Sequence, residues 1–417
     1  MGRLGWNVRS RLKGARRLLK SVWRRLSARA TRAVLALPAA AIRRRQEIIP
    51  GKIAIMTHTN TYACNPKYLY EEIRRRDPAR EVVWLLSKSA DADEFPKDAK
   101  VAFLGTLRSY REAYSAAVWI DNGVMFSANF HRRPGQLHVQ TMHGSLGIKR
   151  LDNGITSRAR RGRAGRRVIF RESTLTDYVV TNSAFEEEVF RSVFWKNTPM
   201  VRLGHARTDP LFGHGGRSVE AIRDDLQRRY GIQSGRRIAL FAPTFRRYLT
   251  AEDLKMDHSR LVSVLHDKFG GEWILLVRLH SKSRNMTIRL PGGVAVEVTD
   301  YPDMQELMMV ADVGITDYSS WIFDYVLTGR PGFIFAPDFG RYTSVTSLCY
   351  PLEETPFPVA YAADRLLDNI AAFDSVDYAR RVKEFLDGKQ CVDDGHSAER
   401  VVDWLETLSQ YRGGGNG

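Results

Sequence analysis

The hydrophobic pattern of the chain switches repeatedly between two periods. From Lys52 onward, short runs rich in β-branched and aromatic residues alternate with segments whose apolar residues recur every three or four positions. This alternation is typical of parallel strands joined by crossover helices, and it predicts a doubly wound α/β sheet. Strands are predicted at 52–58, 81–87, 117–123, 177–183, 236–245, 272–280, 294–298, 312–317 and 331–338, and helices at 66–76, 107–117, 184–194, 260–269, 303–311, 319–327 and over about the last fifty residues.

The alternation pauses at a polar connection near Phe212 to Gly216 and then starts again. Two similar α/β halves predict two Rossmann-like domains that face a cleft, and the length of 417 residues fits two or three domains. We expect an N-terminal domain at 47–212, a C-terminal domain at 213–390, and a C-terminal helix with a flexible tail at 391–417.

The first 46 residues have a different pattern. Apolar residues recur there at helical spacing, and the segment holds 14 Lys/Arg and no acid. A basic amphipathic helix carrying Trp6 and Trp23 can lie in the headgroup layer of a membrane, where each basic residue contributes about 1 kcal/mol. We therefore expect peripheral association of residues 1–46 with the cytoplasmic face of the cell membrane, with a solvated and partly disordered tail as the alternative.

Export and membrane spanning are both disfavoured. The longest uncharged apolar stretch runs for ten residues, from Ala33 to Ile42, and is interrupted by Pro38, whereas a bilayer span needs about 20 residues. A signal peptide or organellar presequence is an open alternative, but three arginines follow the apolar run directly, which favours retention on a surface over cleavage.

The net charge of +17 is concentrated in two segments. Besides the start of the chain, the segment from Lys149 to Arg171 holds nine Lys/Arg and only one acid, Asp152; the rest of the chain holds 41 basic and 46 acidic residues, a net charge of −5. A nucleic-acid coat protein is therefore disfavoured. The three cysteines lie far apart without a CxxC pair, which fits a reducing cytosolic setting and gives no thiolate zinc site.

Most signatures of common enzymes are missing. The sequence contains no GxxxxGK[ST], GxGxxG or HExxH, so P-loop, simple dinucleotide-dehydrogenase and zincin functions lose support. The segment HGSLG lacks the first glycine of a nucleophile elbow. Asp91 and Asp93 form a DxD in a polar loop, where a metal–nucleotide site is disfavoured, and no metal site is expected.

The most informative stretch runs from Gly314 to Asp338. A predicted strand ends at Thr316, and Ser319 and Ser320 follow where a helix begins. Free N–H groups and the positive end of the helix dipole favour a phosphate there. Asp324 lies one turn later and can face the same ligand. The alternative is a Ser N-cap, with Asp324 neutralising the helix start.

Other predicted strand ends carry similar chemistry. Open α/β sheets bind ligands at the carboxyl ends of their strands. A lone histidine at such a position is more often structural, but several polar strand ends in one chain make coincidence less plausible. The residues are His143, Arg207, Pro243, Thr244, Arg246, Arg278 and His280, the last two expected on one face beyond an apolar run.

The motifs MHGSLG, GHARTDPLF, FAPTFR, VRLHS and ITDYSSWIFDYVLTGRP resemble, in order and spacing, those of the CDP-glycerol glycerophosphotransferases, which include teichoic acid primases and polymerases. The resemblance covers roughly residues 52–390. It implies a GT-B-like fold with CDP-glycerol between two Rossmann-type domains, the acceptor on the N-terminal side. It also implies transfer of glycerol phosphate, or a related polyol phosphate, to a hydroxyl of a cell-wall or capsule polymer or lipid-linked acceptor, with release of CMP.

The resemblance also implies residue roles. It makes His143 the catalytic base and His280 the second catalytic histidine. Met142, Ser145 and Leu146 replace the Trp, Thr and Pro of the family's WHGTP motif, so the polyol and the acceptor stay open. The implied CDP-glycerol contacts are Met142, Gly144, Ser145, Leu146, Arg207, Pro243, Thr244, Arg278, Leu279, Ser319, Ser320 and Asp324.

The second basic segment suggests how an acceptor is held. Its arginines can bind the phosphates of a polymeric or lipid-linked acceptor near the base, and the alternative is a solvated loop. The candidates are Arg160, Arg161, Arg163, Arg166 and Arg167. No cofactor is required in this scheme, and magnesium assistance is left open. The competing hypotheses are a GT-B glycosyltransferase that uses a nucleotide sugar and, less favoured, a nucleic-acid-binding protein.

Overall fold

The computed structural model describes residues 35–412, except 145, 151–169, 247, 249, 251, 255 and 281–288, and for residues 252, 410 and 412 it describes the backbone alone. Two sheets, in which all pairings between named strands are parallel, organise the described residues. The first contains β1 (Ile49–Met56), β2 (Val82–Leu86), β3 (Lys100–Phe103), β4 (Ala116–Asp121), β5 (Leu137–Gln140), β6 (Tyr178–Thr181) and β7 (Met200–Arg202), in the order β3-β2-β1-β4-β5-β6-β7. The second contains β8 (Arg237–Phe241), β9 (Trp273–Val277), β10 (Ala295–Glu297), β11 (Val313–Thr316), β12 (Gly332–Phe335) and β13 (Val359–Ala360), in the order β10-β9-β8-β11-β12-β13.

Helices connect these strands. The α-helices are 35–45, Cys64–Arg76, Leu107–Ser115, Met125–Asn129, 170–175, Ala184–Val193, Val219–Tyr230, His258–Phe269, Met304–Val310, Trp321–Tyr325, Phe339–Thr343, Ala363–Ala371, Ser375–Lys389, Ser397–Thr407 and Ser409–Arg412. Short 3-10 helices include Ala206–Phe212 and Val326–Thr328. No helix in the described part of the chain combines the length and apolar character needed to cross a bilayer.

The first sheet is buried on both faces, which explains why its central strands read as continuous apolar runs. Alternate residues of β1 point to opposite sides: Ile53 and Ile55 join one core cluster, and Ala54 and Met56 join another. Helix Ser397–Thr407 packs against the first of these clusters, so the chain returns from the second half to the first before it ends.

The predicted doubly wound α/β architecture is confirmed, but several element boundaries differ. The strand predicted at 272–280 ends at Val277, so Arg278 and His280 follow the strand without regular secondary structure and do not alternate along it. The helix predicted at 319–327 is a single α-helical turn, Trp321–Tyr325, followed by a 3-10 turn. The pattern missed β3, because an edge strand with largely exposed or half-buried positions has no apolar run.

A buried polar network joins the two halves. Lys67, on the first helix after β1, places its Nζ 2.7 Å from Asp303 and 3.0 Å from Glu306, at the start of helix Met304–Val310. The hydroxyl of Tyr68 donates to the same Asp303 carboxylate at 2.9 Å. Because both carboxylates are buried, this network sets the position of one half on the other at the floor of the cleft between them.

Candidate functional site

Three neighbouring strands of the first sheet end at one place. β1 pairs with β4 and β4 with β5, with Met56 beside Asp121 and Asp121 beside Gln140. The residues that follow these strands therefore meet at one edge of the sheet, as expected for an open α/β fold. They include His58, Asn122 and His143.

Two buried amides hold the loop that carries His143. The N–H of Met142 donates to Oε1 of Gln140 at 2.9 Å, and Nδ2 of Asn65 donates to the carbonyls of Thr141 at 2.9 Å and Met142 at 3.1 Å. Met142 has a φ of 49°, a left-handed conformation that is costly for a residue with a side chain. These hydrogen bonds stabilise that turn and present His143 to the cleft.

The His143 side chain is arranged as a base. Its Nδ1 lies 2.5 Å from the carbonyl of Asn122, which requires a proton on Nδ1 and leaves Nε2 as the nitrogen that can accept one. The side chain is open to the cleft. Surrounding protein atoms still desolvate it, and this, with the Arg207 charge, lowers its pKa; the bond to Asn122 and the Asp121 charge oppose the shift. The ring therefore stays neutral at neutral pH.

Sequence reasoning missed His58, which was assigned to the end of a strand. Its ring stacks on that of His143, with centroids 3.8 Å apart and planes 16° from parallel. Desolvation is the main cause that lowers the pKa of His58, and the charges of His143, Arg207 and His280 lower it further. His143 and His280, the two histidines predicted from the two halves, thus both lower the pKa of His58 in the same cleft.

Arg207 and Asp324, both predicted as donor contacts, bind each other. Nε of Arg207 lies 2.7 Å from Oδ2 of Asp324, and its Nη2 lies 3.1 Å from Oδ1. Their exposed fractions are 1% and 3%. Asp324 therefore neutralises a buried arginine of the other half, and contact of either residue with CDP-glycerol stays a prediction.

The two serines lie where the sequence placed them, at the start of helix Trp321–Tyr325, and both are half-buried. The Ser320 side chain makes no capping hydrogen bond to that helix. Ser320 thus occupies the N-cap position that the alternative expects but lacks the side-chain capping bond, and phosphate binding there stays a prediction. The Ser320 hydroxyl does not bond to the helix that follows it.

The FAPTFR segment divides into two kinds of residue. The N–H of Thr244 donates to Asp317 at 2.8 Å, while its Oγ1 is buried without a hydrogen-bond partner in the described residues. Arg246 is fully engaged: it bonds Asp317 at 2.6 Å and Asp338 at 2.7 Å through two nitrogens. Thr244 therefore has an unmet polar group to offer a ligand, next to the buried Pro243, whereas Arg246 serves the fold.

Arg278 differs from the other arginines of the site. Its hydrogen bonds go to uncharged groups, Sδ of Met304 at 3.4 Å and the carbonyl of Pro302 at the same distance, which is long for an oxygen acceptor. In the described ranges no carboxylate forms an ion pair with it. Burial lowers the pKa of Arg278 and nearby Asp303 opposes this. A half-buried cation without a carboxylate partner in the described residues is a suitable group for an anion.

The neighbours of Arg278 take different environments. Leu279 is buried, and its N–H donates to Oγ1 of Thr299 at 2.9 Å. His280 is exposed to the cleft, with its ring centroid 5.5 Å from that of Phe245. The structure thus places one apolar anchor between the two polar groups that sequence reasoning selected.

The segment after His143 crosses to the second half. Gly144 is half-buried, and Leu146 is fully buried in the core of the second half, where its carbonyl accepts from the hydroxyl of Tyr350. Lys149 forms an antiparallel bridge with Leu348. The remaining candidates, Ser145 and the arginines Arg160, Arg161, Arg163, Arg166 and Arg167, lie outside the described residues.

Among the described residues, no group of three or more His, Cys, Asp or Glu side chains is arranged to hold a metal ion. The carboxylate of Asp91 accepts the N–H of Asp93 at 3.0 Å within an exposed turn. This local role accounts for the DxD pair.

Residues 42–407 match the family model described as CDP-glycerol:poly(glycerophosphate) glycerophosphotransferase. The chain belongs to this family. It is 26% identical over 362 residues to a teichoic acid poly(glycerol phosphate) polymerase of Staphylococcus epidermidis (82% of this chain, 48% of the relative) and 27% identical over 352 residues to one of Bacillus subtilis strain 168 (82% and 46%). The chain thus spans about half the length of these two relatives. A teichoic acid poly(glycerol phosphate) polymerase of Bacillus spizizenii is 24% identical over 355 residues, with 82% of this chain and 89% of the relative covered.

The fold of this glycerophosphotransferase family member agrees with a solved structure. The wall teichoic acid polymerase TagF superposes with a TM-score of 0.75 at 24% identity, over 95% of this chain and 98% of that one. The predicted GT-B-like fold is therefore confirmed, together with the family.

Proposed function

We propose that the chain is a CDP-glycerol glycerophosphotransferase. It transfers glycerol phosphate, or a related polyol phosphate, from CDP-glycerol to a hydroxyl of a cell-wall or capsule polymer or lipid-linked acceptor and releases CMP, in the synthesis of teichoic acid or a similar polymer. The observation that carries this proposal is the bond from Nδ1 of His143 to the Asn122 carbonyl, which leaves Nε2 available at a cleft that both halves line. Membership of the family supplies the reaction class.

The proposed reaction needs one proton acceptor. The acceptor hydroxyl attacks the β-phosphorus, a new oxygen–phosphorus bond forms, and the bond from that phosphorus to the departing CMP breaks. The hydroxyl proton goes to Nε2 of His143, and a histidine whose pKa is below its usual value is in the neutral form that this step requires.

Charge develops on the departing CMP, and the second half supplies groups to stabilise it. Arg278 is a half-buried cation without a carboxylate ion-pair partner in the described part of the chain, and His280 is exposed to the same cleft. The Oγ1 of Thr244 and the N–H groups and hydroxyls at Ser319 and Ser320 add donors for phosphate oxygens. Preorganised donors of this kind stabilise a transition state without a metal ion; magnesium assistance is tested by adding a chelator.

Arg207 and Asp324 have a supporting role in this scheme. Both carboxylate oxygens of Asp324 bond to the Arg207 guanidinium. The pair therefore fixes the helix that follows Ser319 and Ser320 relative to the loop that carries His143. The distance between base and donor subsite then depends on this pair.

The proposed partners are anionic. The acceptor carries phosphate, which the arginines of the 149–171 segment attract, and residues 1–46 hold the enzyme on the cytoplasmic surface of an anionic membrane. Nucleic acid is not a partner in this proposal, because the body of the chain outside the two basic segments has a net charge of −5.

A donor panel tests the proposed function. The purified chain is offered CDP-glycerol, CDP-ribitol and UDP-sugars with the same acceptor, and release of CMP or UDP is measured. CMP release from a CDP-polyol supports the proposal and identifies the polyol. UDP release from a sugar donor, without CMP release from either CDP-polyol, would replace it with the glycosyltransferase alternative.

A further inference from the structure

His58 lies outside every motif that points to the family, yet its ring stacks directly on that of the proposed base. The two imidazole rings overlap face to face, with centroids 3.8 Å apart. One residue contacts both histidines: Oδ1 of Asn122 accepts the backbone N–H of His58 at 2.9 Å, and the Asn122 carbonyl accepts from Nδ1 of His143 at 2.5 Å. Asn122 is fully buried, so it holds these two hydrogen bonds in place.

We propose that His58 is a positioning residue for the base of the proposed transfer: its ring fixes the plane of the His143 imidazole and covers one of its faces. The inference rests on the proposed function for its catalytic meaning. The hydrogen bond to Asn122 holds only Nδ1, and a ring held at one atom can still tilt. The stack removes that freedom and directs Nε2 into the cleft.

Desolvation is the main cause of the lowered pKa of His58; the charges around the pair lower it further, and a hydrogen bond to Asn122 opposes the shift. His143, Arg207 and His280 face His58, and each opposes a positive charge on it. Arg207 and Asp121 face His143 with opposite effects. Two protonated rings at this separation repel strongly, so a proton on one ring disfavours a proton on the other.

The stack has a measurable consequence for His143. Desolvation is the main cause of its lowered pKa, and the ring of His58 excludes water from one of its faces. Removing that ring admits water, favours the imidazolium and raises the pKa of His143 toward the usual 6.5. A flat aromatic ring without nitrogen keeps the shielding.

The experiment compares His58→Ala with His58→Phe. NMR titration of the His143 imidazole without substrates, and the pH dependence of kcat/KM with CDP-glycerol, are measured for both variants and the parent chain. We expect His58→Ala to raise the pKa of His143, to move the acidic limb of kcat/KM to higher pH, and to lower kcat on the order of tenfold with KM for CDP-glycerol nearly unchanged. His58→Phe should restore the parent's titration and most of kcat.

Two results would overturn the proposal. If His58→Phe loses as much activity as His58→Ala while the His143 titration keeps its parent value, a nitrogen of His58 takes part in the chemistry. If His58→Ala leaves both the titration and kcat unchanged, the stack has no role. The NMR titration needs no turnover, so it decides the inference even if the parent chain releases no CMP from CDP-glycerol and the proposed function fails.

Discussion

Arg207 and Asp324 form a two-point ion pair that joins the two halves of the protein beside the cleft. The guanidinium comes from the 3-10 helix Ala206–Phe212 and the carboxylate from helix Trp321–Tyr325, 117 residues later. Both side chains are buried. A pair of this kind gives little net stability over apolar residues, but breaking it leaves an uncompensated buried charge.

Asp324→Ala should therefore destabilise the protein by about 3–5 kcal/mol, because Arg207 loses its partner in a buried setting. Urea unfolding measures this as a lower midpoint. The matched control is Glu384→Ala, which removes an exposed ion pair with Arg380 and should leave the midpoint nearly unchanged.

The combined change Arg207→Met with Asp324→Leu completes the experiment. Replacing both charges by apolar side chains should recover much of the stability that Asp324→Ala loses, while transfer activity stays low, because the pair no longer sets the distance between the halves. Equal midpoints for Asp324→Ala and Glu384→Ala would contradict the structural role of the pair.

Asn65 is the buried residue that connects this ion pair to the base. Its side chain donates to the carbonyls of Thr141 and Met142 and accepts the N–H of Arg207 at 3.1 Å. Asn65→Ala should lower kcat at least about tenfold, because the strained turn before His143 loses its support.

The control for Asn65 is Asn369→Ala. Asn369 also donates to a strand carbonyl, that of Val359, but at the edge of the second sheet. Both changes should lower Tm, and only Asn65→Ala should lower kcat strongly. Parallel losses of kcat in the two variants would mean that Asn65 acts through general stability alone.

The start of the chain gives a third prediction. Ile42 packs on the first domain, Nε of Arg43 donates to the carbonyl of His131 at 3.2 Å, and Arg133 donates to the carbonyl of Arg43 at 2.7 Å. Helix 35–45 therefore belongs to the folded body, and a truncation that tests membrane association should remove residues 1–34 and not 1–46.

Deleting residues 1–34 should abolish co-sedimentation with phosphatidylglycerol vesicles and keep CMP release with a soluble acceptor, because the deleted segment carries most of the N-terminal positive charge. Vesicles of phosphatidylcholine alone are the control. Undiminished sedimentation of the truncated chain with the anionic vesicles would place the membrane contact elsewhere.

The arginines of the second basic segment give a fourth prediction. A variant in which five of them are changed to Gln should have a several-fold higher apparent KM for a phosphate-bearing acceptor, because a few phosphate contacts are lost. Its KM for CDP-glycerol should stay nearly unchanged. The five residues are Arg160, Arg161, Arg163, Arg166 and Arg167. The control changes three exposed arginines elsewhere, Arg108, Arg111 and Arg365, to Gln. A selective rise in the KM for CDP-glycerol would contradict an acceptor site in this segment.

The sequence predicts much of the fold for a physical reason. Strands buried on both faces, such as β4 and β9, must be apolar throughout, and polar residues just beyond them must lie at the ligand edge. These two rules together predict that His143, Thr244 and Arg278 lie just beyond strand ends, as the structure shows. The edge strand β3 was not predicted, because most of its positions are exposed or half-buried and its pattern is therefore weakly constrained.

Pairings between distant residues could not be predicted from local patterns. His58 meets His143 only after the sheet orders β1, β4 and β5 side by side. The sequence suggests that Arg246 binds phosphate, and only the fold shows that it forms ion pairs with Asp317 and Asp338. A strand end indicates where a side chain goes, whereas its partner depends on the whole topology.

The most direct test of the central claim is transfer of labelled glycerol phosphate from CDP-glycerol to acceptor by His143→Ala, measured beside the parent chain and the control His131→Ala, an exposed histidine elsewhere in the first half. We expect His143→Ala to lose on the order of 100-fold or more of the activity with an unchanged circular dichroism spectrum, because general-base catalysis contributes that much. His280→Ala should lose a similar factor, and His131→Ala should match the parent. Transfer by His143→Ala at the parent rate would contradict the assignment of the base.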